Sequence, residues 1–361
     1  MTLADAAVPH ARYGITRPEV EALLERGGEP RYRADQVWDA LYRTREPLDA
    51  ATNLPKTLRA RLSTTLPLVL TERVARTSRD GATTKWLWSC GDGAQVETVL
   101  MEYPTRATVC VSSQAGCAMA CSFCATGQGG FERHLESAEI VEQVMRAQHA
   151  TARRVGNVVY MGMGEPLANY DAVWQSVEVL HDEVKLSARH LTISTVGVVP
   201  GIRRLADERL PVTLAVSLHA PNDALRDELV PLNRRYPIAE VLDAAADFAA
   251  ARGRRVTFEY VCIGGVNDAP AQADQLGRLL ASWPGVGGAH VNLIPLNPTA
   301  GFGGRRAHAG SVRQFAERLR AHRVHVTTRR NRGVDIDAAC GQLRSRLPIP
   351  EPAARSATMA S

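Results

Sequence analysis

The sequence predicts an α/β protein whose main part is a parallel sheet or an incomplete barrel, preceded by a helical segment and a short run of strands. Beyond about residue 107, six apolar runs alternate with six helical segments, and this alternation favours βαβ units. The run Val-Thr-Leu-Ala-Val-Ser-Leu over 212–218 is apolar enough to be buried on both faces, as parallel strands are. The predicted strand–helix pairs are 107–112 with 137–150, 157–161 with 171–182, 190–195 with 200–208, 211–218 with 238–252, 255–262 with 271–282, and 289–294 with 311–322.

The N-terminal segment is predicted to be a small helical domain. Pro18 follows Thr16 at a helix start, and Gly27 ends that helix. Apolar residues then repeat at helical spacing over 37–42. An ordinary helical cap and an RNA-binding module are both open for this domain.

A β extension follows, because apolar and polar residues alternate over 85–88 and 96–99 with a Gly-Asp-Gly turn at 91–93 between them. The end of the chain is rich in Pro, Ala and Ser, a composition typical of disorder. The predicted units are 1–66 (helical), 67–106 (β extension), 107–344 (core with a C-terminal cysteine loop) and 345–361 (disordered tail).

Charge is concentrated near the C-terminus. The 361 residues contain 43 Lys and Arg against 38 Asp and Glu, for a formal net charge of +5. Residues 301–332 hold nine arginines and one acid, Glu317. A local basic field is the usual mark of a nucleic-acid surface, and a solvated helix face is the alternative.

The sequence shows no pattern of export or membrane insertion. Residues 1–14 lack the basic start and apolar core of a signal peptide. Residues 107–131 are uncharged, but Ser, Gln, Gly and Cys interrupt them, so they do not read as a membrane helix. Seven cysteines, three of them clustered, favour metal or redox chemistry over disulfides. We expect a cytoplasmic protein with no membrane association.

The clustered cysteines, Cys117, Cys121 and Cys124, have the spacing C-x3-C-x2-C. A [4Fe–4S] cube takes one thiolate per iron, so three thiolates in one loop leave one iron open. An open iron can be chelated by a substrate, as the vacant position of catalytic zinc is. A zinc site completed by Cys90, Cys110 or a histidine is the alternative.

Polar residues stand at the carboxyl ends of the predicted strands, where such folds place their reactive groups. The carbonyl and carboxylate at Gly164-Glu165 can receive an ammonium group, although an ordinary βα turn is equally compatible. A lone buried serine more often bonds within the core, but several polar groups converging on one face favour a ligand. Beyond Gly164 and Glu165, these polar residues are Ser194, Ser217, His219 and Asn297.

Three further residues carry potential chemistry. Cys340 follows the arginine-rich segment in Ala-Ala-Cys-Gly, and its alternative is a small buried thiol. Cys110 ends the first core strand and is directed at the same face as the clustered cysteines, with a fourth metal ligand or a core residue as alternatives. Glu97 is an acid in an apolar strand, and a solvent-facing position is its alternative.

The cysteine motif resembles the signature of the radical S-adenosylmethionine (SAM) superfamily. Four further motifs resemble the adenine-C2 RNA methyltransferases within that superfamily, and the similarity runs from about residue 12 to 344. The four motifs are Met-Gly-Met-Gly-Glu-Pro at 161–166, Ser-Leu-His-Ala-Pro-Asn-Asp at 217–223, Leu-Ile-Pro-Leu-Asn-Pro at 293–298 and Asp-Ile-Asp-Ala-Ala-Cys-Gly-Gln-Leu at 335–343.

The resemblance implies a partial (β/α)6 radical SAM barrel and two cofactors. These are one [4Fe–4S] cluster per chain, held by the three clustered cysteines, and two SAM molecules per turnover. SAM's amino and carboxylate groups would chelate the open iron. The cofactor-binding residues implied are Gly164, Glu165, Ser194, Ser217, Leu218, His219 and Asn297.

The resemblance also implies the reaction. One SAM would methylate Cys340, and a second would yield a deoxyadenosyl radical that takes hydrogen from the methyl group. The methylene radical would add to adenine C2, and Cys110 and Glu97 would serve proton removal and release. Gly341 would let the Cys340 loop move.

The implied partners are RNA and a reductant. The substrates are adenine 2503 of 23S rRNA and adenine 37 of certain tRNAs, and the target base must leave its stack. The basic segment 301–332 would hold flanking phosphates. The chain is expected to act as a monomer with an electron donor such as flavodoxin or ferredoxin.

Two other functions are open. The same chemistry at adenine C8 occurs in a resistance relative, which has Glu-Ala where this chain has Glu165-Pro166 and Ser-Pro where this chain has Ala220-Pro221. Both positions favour C2. A zinc RNA-binding protein would need neither the glycine–glutamate turn nor Cys340.

Overall fold

The computed structural model of the chain describes residues 11–329 and 332–343. It confirms the α/β class, since helices pack around a mostly parallel sheet that follows an N-terminal helical region. The tail predicted to be disordered, 345–361, lies outside the described residues. Within the described part, no helix has the length and apolar character needed to cross a membrane.

Three helices form the N-terminal region. The first begins where the sequence predicts, because the Thr16 backbone N–H donates to the Glu19 carboxylate at 2.7 Å and Pro18 lies in the first turn. It ends before Gly27, also as predicted. The boundary placed at residue 66 stays a prediction. The helices are α1 (Arg17–Arg26), α2 (Tyr32–Tyr42) and α3 (Lys56–Thr65).

The β extension is an antiparallel meander. Its strands are β1 (Thr71–Thr77), β2 (Thr83–Ser89) and β3 (Gln95–Glu102), and the predicted turn lies between β2 and β3. Strand β2 is buried on both faces, so that Lys85 is 9% exposed and Trp86 6%. A lysine in such a position needs a partner, since a buried unpaired charge is costly.

The core contains all six predicted strand–helix pairs, with boundaries within two or three residues of the prediction. Its strands are β4 (Ala107–Cys110), β5 (Gln114–Gly116), β6 (Phe131–His134), β7 (Val155–Tyr160), β8 (Leu191–Thr195), β9 (Thr213–Ser217), β10 (Thr257–Gly264), β11 (His290–Pro295), β12 (Arg305–Arg306) and β13 (His325–Thr328). Its helices are α4 (Ala125–Gln128), α5 (Ser137–His149), α6 (Tyr170–Asp182), α7 (Val199–Asp207), α8 (Asp223–Leu229), α9 (Ile238–Arg252), α10 (Pro270–Ala281) and α11 (Ala309–Ala321).

One large sheet runs in the order β1-β2-β3-β4-β7-β8-β9-β10-β11-β13. Every pair from β4 to β13 is parallel, whereas β4 joins the extension through an antiparallel pairing with β3. Strand β13 is a seventh parallel strand that the sequence did not predict. It is an edge strand with largely exposed side chains, so it lacks the apolar run that reveals a buried strand.

The wall of the sheet is rigid because its central strands are buried on both faces. Val216, Phe258 and Tyr260 are fully buried between the strands and the outer helices. Each such side chain contributes about 2 kcal/mol by leaving water. A single cavity contacts the ends of strands from β7 to β13, so the sheet is curved and its carboxyl ends converge.

Candidate active site

The three clustered cysteines lie on one loop between β5 and α4. Cys121 is buried, whereas Cys117 and Cys124 are half-buried. Burial raises the pKa of Cys121 well above its ordinary value, and the neighbouring Cys124 and Cys117 raise it further. Gly116, with φ of +72°, leads into the loop, and a Cβ there would lie 2.0 Å from the Gly130 carbonyl oxygen. The loop therefore needs this glycine to bring the thiols together.

The thiols of this loop fit the donor set of a [4Fe–4S] cube. Among the described residues, no three His, Cys, Asp or Glu side chains converge closely enough to bind a single ion. A cube takes one thiolate per iron, so its ligands need not converge on one point. Of the other cysteines, Cys340 interacts with Cys110, and Cys90 lies beside Glu139. The donor set is thus three soft thiols that leave one iron open.

A cavity of about 150 Å³ opens where the parallel strands end, and we call it the strand-end cavity. Its wall combines the cysteine loop with residues that follow five different strands. The structure thereby brings together most of the residues that the sequence singled out. Those in the wall are Cys121, Cys124, Gly164, Glu165, Ser194, Ser217, His219, Asn297 and Cys340.

The glycine–glutamate turn after β7 holds a buried carboxyl group at this cavity. Glu165 is 2% exposed and accepts the backbone N–H groups of Leu167 at 3.0 Å and Val196 at 2.9 Å. Burial raises the pKa of Glu165 to about 7, although these hydrogen bonds oppose the rise. Gly164 has φ of +99°, and a Cβ there would lie 2.6 Å from the Gln114 side chain. A bound cation would favour the charged carboxylate.

Two serines end neighbouring strands at the cavity wall. Ser194 on β8 and Ser217 on β9 are half-buried with their side chains at the cavity. Leu218 differs, because its side chain is fully buried and does not line the cavity. Its backbone N–H donates to the Glu259 carbonyl at 3.0 Å. The structure therefore does not bring Leu218 to the site with its neighbours.

His219 and a buried arginine fix the end of β9. The Val261 backbone N–H donates to His219 Nδ1 at 3.1 Å, and the residue has φ of +62°. Burial, and then the charge of Arg226, lower the pKa of His219 to about 3, so the ring is neutral. Arg226 is fully buried and donates to the carbonyls of Ser217 and Val196. Arg226 joins the ends of β8 and β9, and no local pattern in the sequence marks it as a functional residue.

Asn297 holds the loop that carries Cys340. Its Nδ2 donates to the Cys340 carbonyl at 3.0 Å, and its Oδ1 accepts from Arg306 at 3.0 Å. The Ala125 N–H also donates to the Gly341 carbonyl at 2.8 Å. The Cys340 loop is thereby tied both to the segment after β11 and to the helix after the cysteine loop. A direct contact of Asn297 with a cofactor stays a prediction.

A second cavity of about 230 Å³ adjoins the first, and we call it the thiol cavity because Cys110 and Cys340 both line it. Met161, Arg329 and Cys340 belong to both cavities. Burial raises the pKa of Cys110 to about 12, Cys340 adds to the rise and Arg329 opposes it. Cys110 is therefore a neutral thiol at neutral pH, and Cys340 stands in the wall between the cavities.

Glu97 is buried and ion-paired instead of facing solvent. It is 4% exposed, and Lys85 Nζ lies 2.9 Å from its Oε1. The same ammonium donates to the Asp337 carbonyl at 3.0 Å, within the loop that leads to Cys340. Val99 and Met101, on the same face of β3, line the thiol cavity, whereas Glu97 does not. Lys85, unnoticed in the sequence, joins the acid to the Cys340 loop.

Arg329 is a site residue that the sequence assigned only to the basic segment. It directly follows β13 and lines both cavities. The nearby Cys340 raises the pKa of Arg329, with smaller contributions from Glu259 and Cys110, while burial opposes the rise. If the sequence had revealed β13 as a strand, Arg329 would have been predicted to lie at its carboxyl end, where the other site residues lie.

Those arginines of 301–332 that the structure describes do not form one surface. Arg306 bonds Asn297, Arg318 pairs with Asp274 at 2.6 Å, and Arg320 is exposed on α11. Arg330 lies outside the described residues. The described arginines of this segment thus lie in different places: Arg306 bonds to Asn297, Arg329 lines the two cavities and Arg320 lies on the outer face of α11.

Two family models match the chain. The Radical SAM superfamily matches residues 111–275, which hold the cysteine loop and the strands from β7 to β10. The ribosomal RNA large subunit methyltransferase N-terminal domain matches residues 13–67, the three-helix region.

Similar proteins cover nearly the whole chain. A protein of Parafrankia sp. (strain EAN1pec) is 50% identical over 94% of this chain and 93% of its own length. A protein of Salinispora tropica is 51% identical over 90% of each chain. Both are named probable dual-specificity RNA methyltransferase RlmN. The crystal structure of a radical SAM methyltransferase from Sphaerobacter thermophilus has a TM-score of 0.86 and 51% identity, covering 94% of this chain and 100% of that one.

Proposed function

The chain belongs to the radical SAM family of dual-specificity RNA methyltransferases, and on that premise we propose that it forms 2-methyladenine at adenine 2503 of 23S rRNA and at adenine 37 of certain tRNAs. The observation that carries the proposal is the position of Cys340 in the wall between two cavities. One cavity adjoins the cysteine loop, and the other contains a second thiol. A methyl carrier needs access to both its donor and its acceptor.

The cofactors are a [4Fe–4S] cluster and SAM, in keeping with the family. When bound, they supply the methyl group and a radical able to remove hydrogen from a methyl group. Cys117, Cys121 and Cys124 would hold the cluster. Glu165 and the serines of the strand-end cavity would orient SAM, because a carboxylate and hydroxyls suit its ammonium and ribose.

Cys340 serves as the methyl carrier in this proposal. Adenine C2 is an electron-poor carbon that does not attack a sulfonium methyl group, so a route through a thiol is needed. The carbonyl of Cys340 is held by Asn297, and the carbonyl of Gly341 by α4. These bonds hold the backbone of the loop close to the Cys340 sulfur. Gly341 has a φ of +83°, a backbone angle that favours glycine.

Cys110 and Glu97 would complete the reaction. Once carbon joins Cys340 to adenine C2, the C2 proton must leave and the bond to the Cys340 sulfur must break. Cys110 shares the thiol cavity with Cys340, so it can reach that sulfur or the proton. Glu97 does not line the thiol cavity, and Lys85 links it to the Cys340 loop, which makes Cys110 the better-placed group for these steps.

The test is to map modified adenines in RNA from a strain that lacks this protein. Wild-type protein should restore 2-methyladenine in 23S rRNA and in tRNA, and Cys340→Ala should restore neither. Nucleoside mass spectrometry with 2-methyl and 8-methyl standards also separates the C8 alternative. Restoration by Cys340→Ala would refute the methyl-carrier role, and 8-methyladenine would refute the assignment to C2.

We propose further that the chain works with a protein reductant and acts in the cytoplasm. The radical chemistry of the family consumes electrons, so a protein donor such as flavodoxin or ferredoxin is the expected reductant. We also propose that the chain acts as a monomer. RNA substrates of these classes support a cytoplasmic enzyme.

A further inference from the structure

Two arginines lie against one aromatic ring at the thiol cavity, and one of them, Arg332, lines the cavity itself. Tyr103 lines the cavity, and the Cζ atoms of Arg332 and Arg106 lie 4.3 Å and 4.7 Å from its ring centroid. Tyr103 donates its N–H to the Arg106 carbonyl at 2.8 Å, which closes a short turn after β3. Arg332 donates to the Glu102 carbonyl at 3.2 Å. The ring of Tyr103 therefore contacts both guanidinium groups, and a backbone bond further holds that of Arg332.

The residues that line the thiol cavity do not suit a bound cation. Two arginines, Arg329 and Arg332, and the Tyr103 ring line it beside the two thiols. The other described lining residues are Val, Met, Ala and Leu, and none is Asp or Glu. An apolar cavity with positive charge fits a flat ring that is attached to an anion. Unpaired RNA bases are recognised by stacking on aromatic rings or guanidinium planes, with basic groups on the phosphates.

We propose that Arg332 and Arg106, held against the Tyr103 ring, bind the phosphates beside the adenine that the proposed function brings to the thiol cavity. This assignment rests on the proposed function, because only an RNA substrate must bring a base to Cys340. It places the base and SAM on opposite sides of the Cys340 wall. The strand-end cavity, with the Glu165 carboxyl group, suits SAM, and the thiol cavity suits the nucleotide.

The first test removes the two cations singly. Arg332→Gln and Arg106→Gln should each raise KM for a short 23S rRNA fragment. Each should also lower the slope of log KM against log salt by about 0.7, the value for one phosphate contact on single-stranded RNA. The matched control is Arg320→Gln, which removes an arginine of the same basic segment from the outer face of α11. The control should keep KM within about twofold and the salt slope unchanged.

The second test concerns the ring. Tyr103→Phe keeps the surface on which the guanidinium groups lie and should keep KM for RNA. Tyr103→Leu removes it, and KM should rise about ten- to a hundredfold, the range expected when one stacking contact is lost. Because Tyr103 also packs against the core, the phenylalanine variant keeps the test informative if the leucine variant folds poorly.

Two results would overturn the assignment. One is a KM and salt slope for Arg332→Gln and Arg106→Gln that match those of Arg320→Gln. The other is that both arginine variants turn over normally with dithionite but slowly with a protein reductant. In that case the two arginines would form a docking site for an acidic electron carrier. Methyl uptake by Cys340 in the wild-type protein without RNA tests the proposed function separately. If that uptake occurs and the variants bind RNA normally, only the nucleotide assignment fails.

Discussion

The two cavities that meet at Cys340 are built in different ways. The strand-end cavity is made by the carboxyl ends of consecutive parallel strands, and its key polar groups already have partners, such as Glu165 with Val196 and His219 with Val261. The thiol cavity is assembled from β3, the end of β4, the residue after β13 and the Cys340 loop. The first is a rigid framework, and the second depends on contacts between distant segments.

This difference separates two chemical tasks. A cofactor pocket at strand ends benefits from a fixed wall, because its ligands must be oriented before reaction. In the thiol cavity, the methyl carrier Cys340 must meet first the acceptor base and then the group that releases the product. Its loop is held by side-chain contacts with distant segments, among them Lys85 to the Asp337 carbonyl, Asn297 to the Cys340 carbonyl and Thr126 to the Leu343 carbonyl. Substitutions on the two sides should therefore fail at different steps.

The largest effect should come from the cysteine loop beside the strand-end cavity. Replacing any one of Cys117, Cys121 or Cys124 with Ala should abolish cluster binding and SAM cleavage, because a cube held by two thiolates should not persist. Iron and sulfide analysis, together with the absorption at about 400 nm, measures the cluster. Normal iron content with deoxyadenosine formation in a single variant would contradict the assignment.

On the thiol side, loss of Cys110 should stop the reaction late instead of early. Cys110→Ala should accumulate protein joined to RNA through Cys340, because the adduct cannot be released. Gel electrophoresis should show a nuclease-sensitive band of higher mass. The double variant Cys110→Ala, Cys340→Ala is the control and should show no band. Normal turnover without adduct would transfer the resolving role to Glu97.

We expect Lys85 to couple Glu97 energetically to the loop that carries Cys340. Lys85→Met removes the ammonium group beside the buried Glu97 carboxylate, which should lower the free energy of unfolding by about 3 kcal/mol. In a Glu97→Gln background the same change should cost much less, and Lys85→Arg should be mild. Urea unfolding of the four proteins gives the coupling energy. Equal costs in both backgrounds would mean that Lys85 acts only through the Asp337 carbonyl.

The smallest effect near neutral pH comes from His219 in the wall of the strand-end cavity. Because the folded pKa of His219 is about 3, against an ordinary 6.5, the unfolded chain binds the proton first as pH falls. Stability should therefore decline below about pH 6.5, by about 1.4 kcal/mol per pH unit from this group. His219→Gln should remove that slope, and His325→Gln, an exposed control on β13, should keep it. Identical pH profiles for His219→Gln and wild type would contradict the buried neutral ring.

Much of the strand-end cavity could be predicted from the sequence. Glu165, Ser194, Ser217 and His219 each follow an apolar run, and the ends of parallel strands converge whatever the detailed packing. Leu218 shows the limit of this reasoning. Within the same motif, the alternation of a strand turns its side chain into the core.

The sequence by itself determined the α/β class, the cysteine loop and the six strand–helix units, because each depends on spacing within a short segment. Only the tertiary structure decided that Arg329 enters the site, that Lys85 pairs with Glu97 and that Arg332 meets Tyr103. These partners are separated by 12 to more than 200 residues, and β13 carries no apolar run to reveal it. Contacts of that kind follow from how the sheet curves and where the Cys340 loop returns, which no local pattern records.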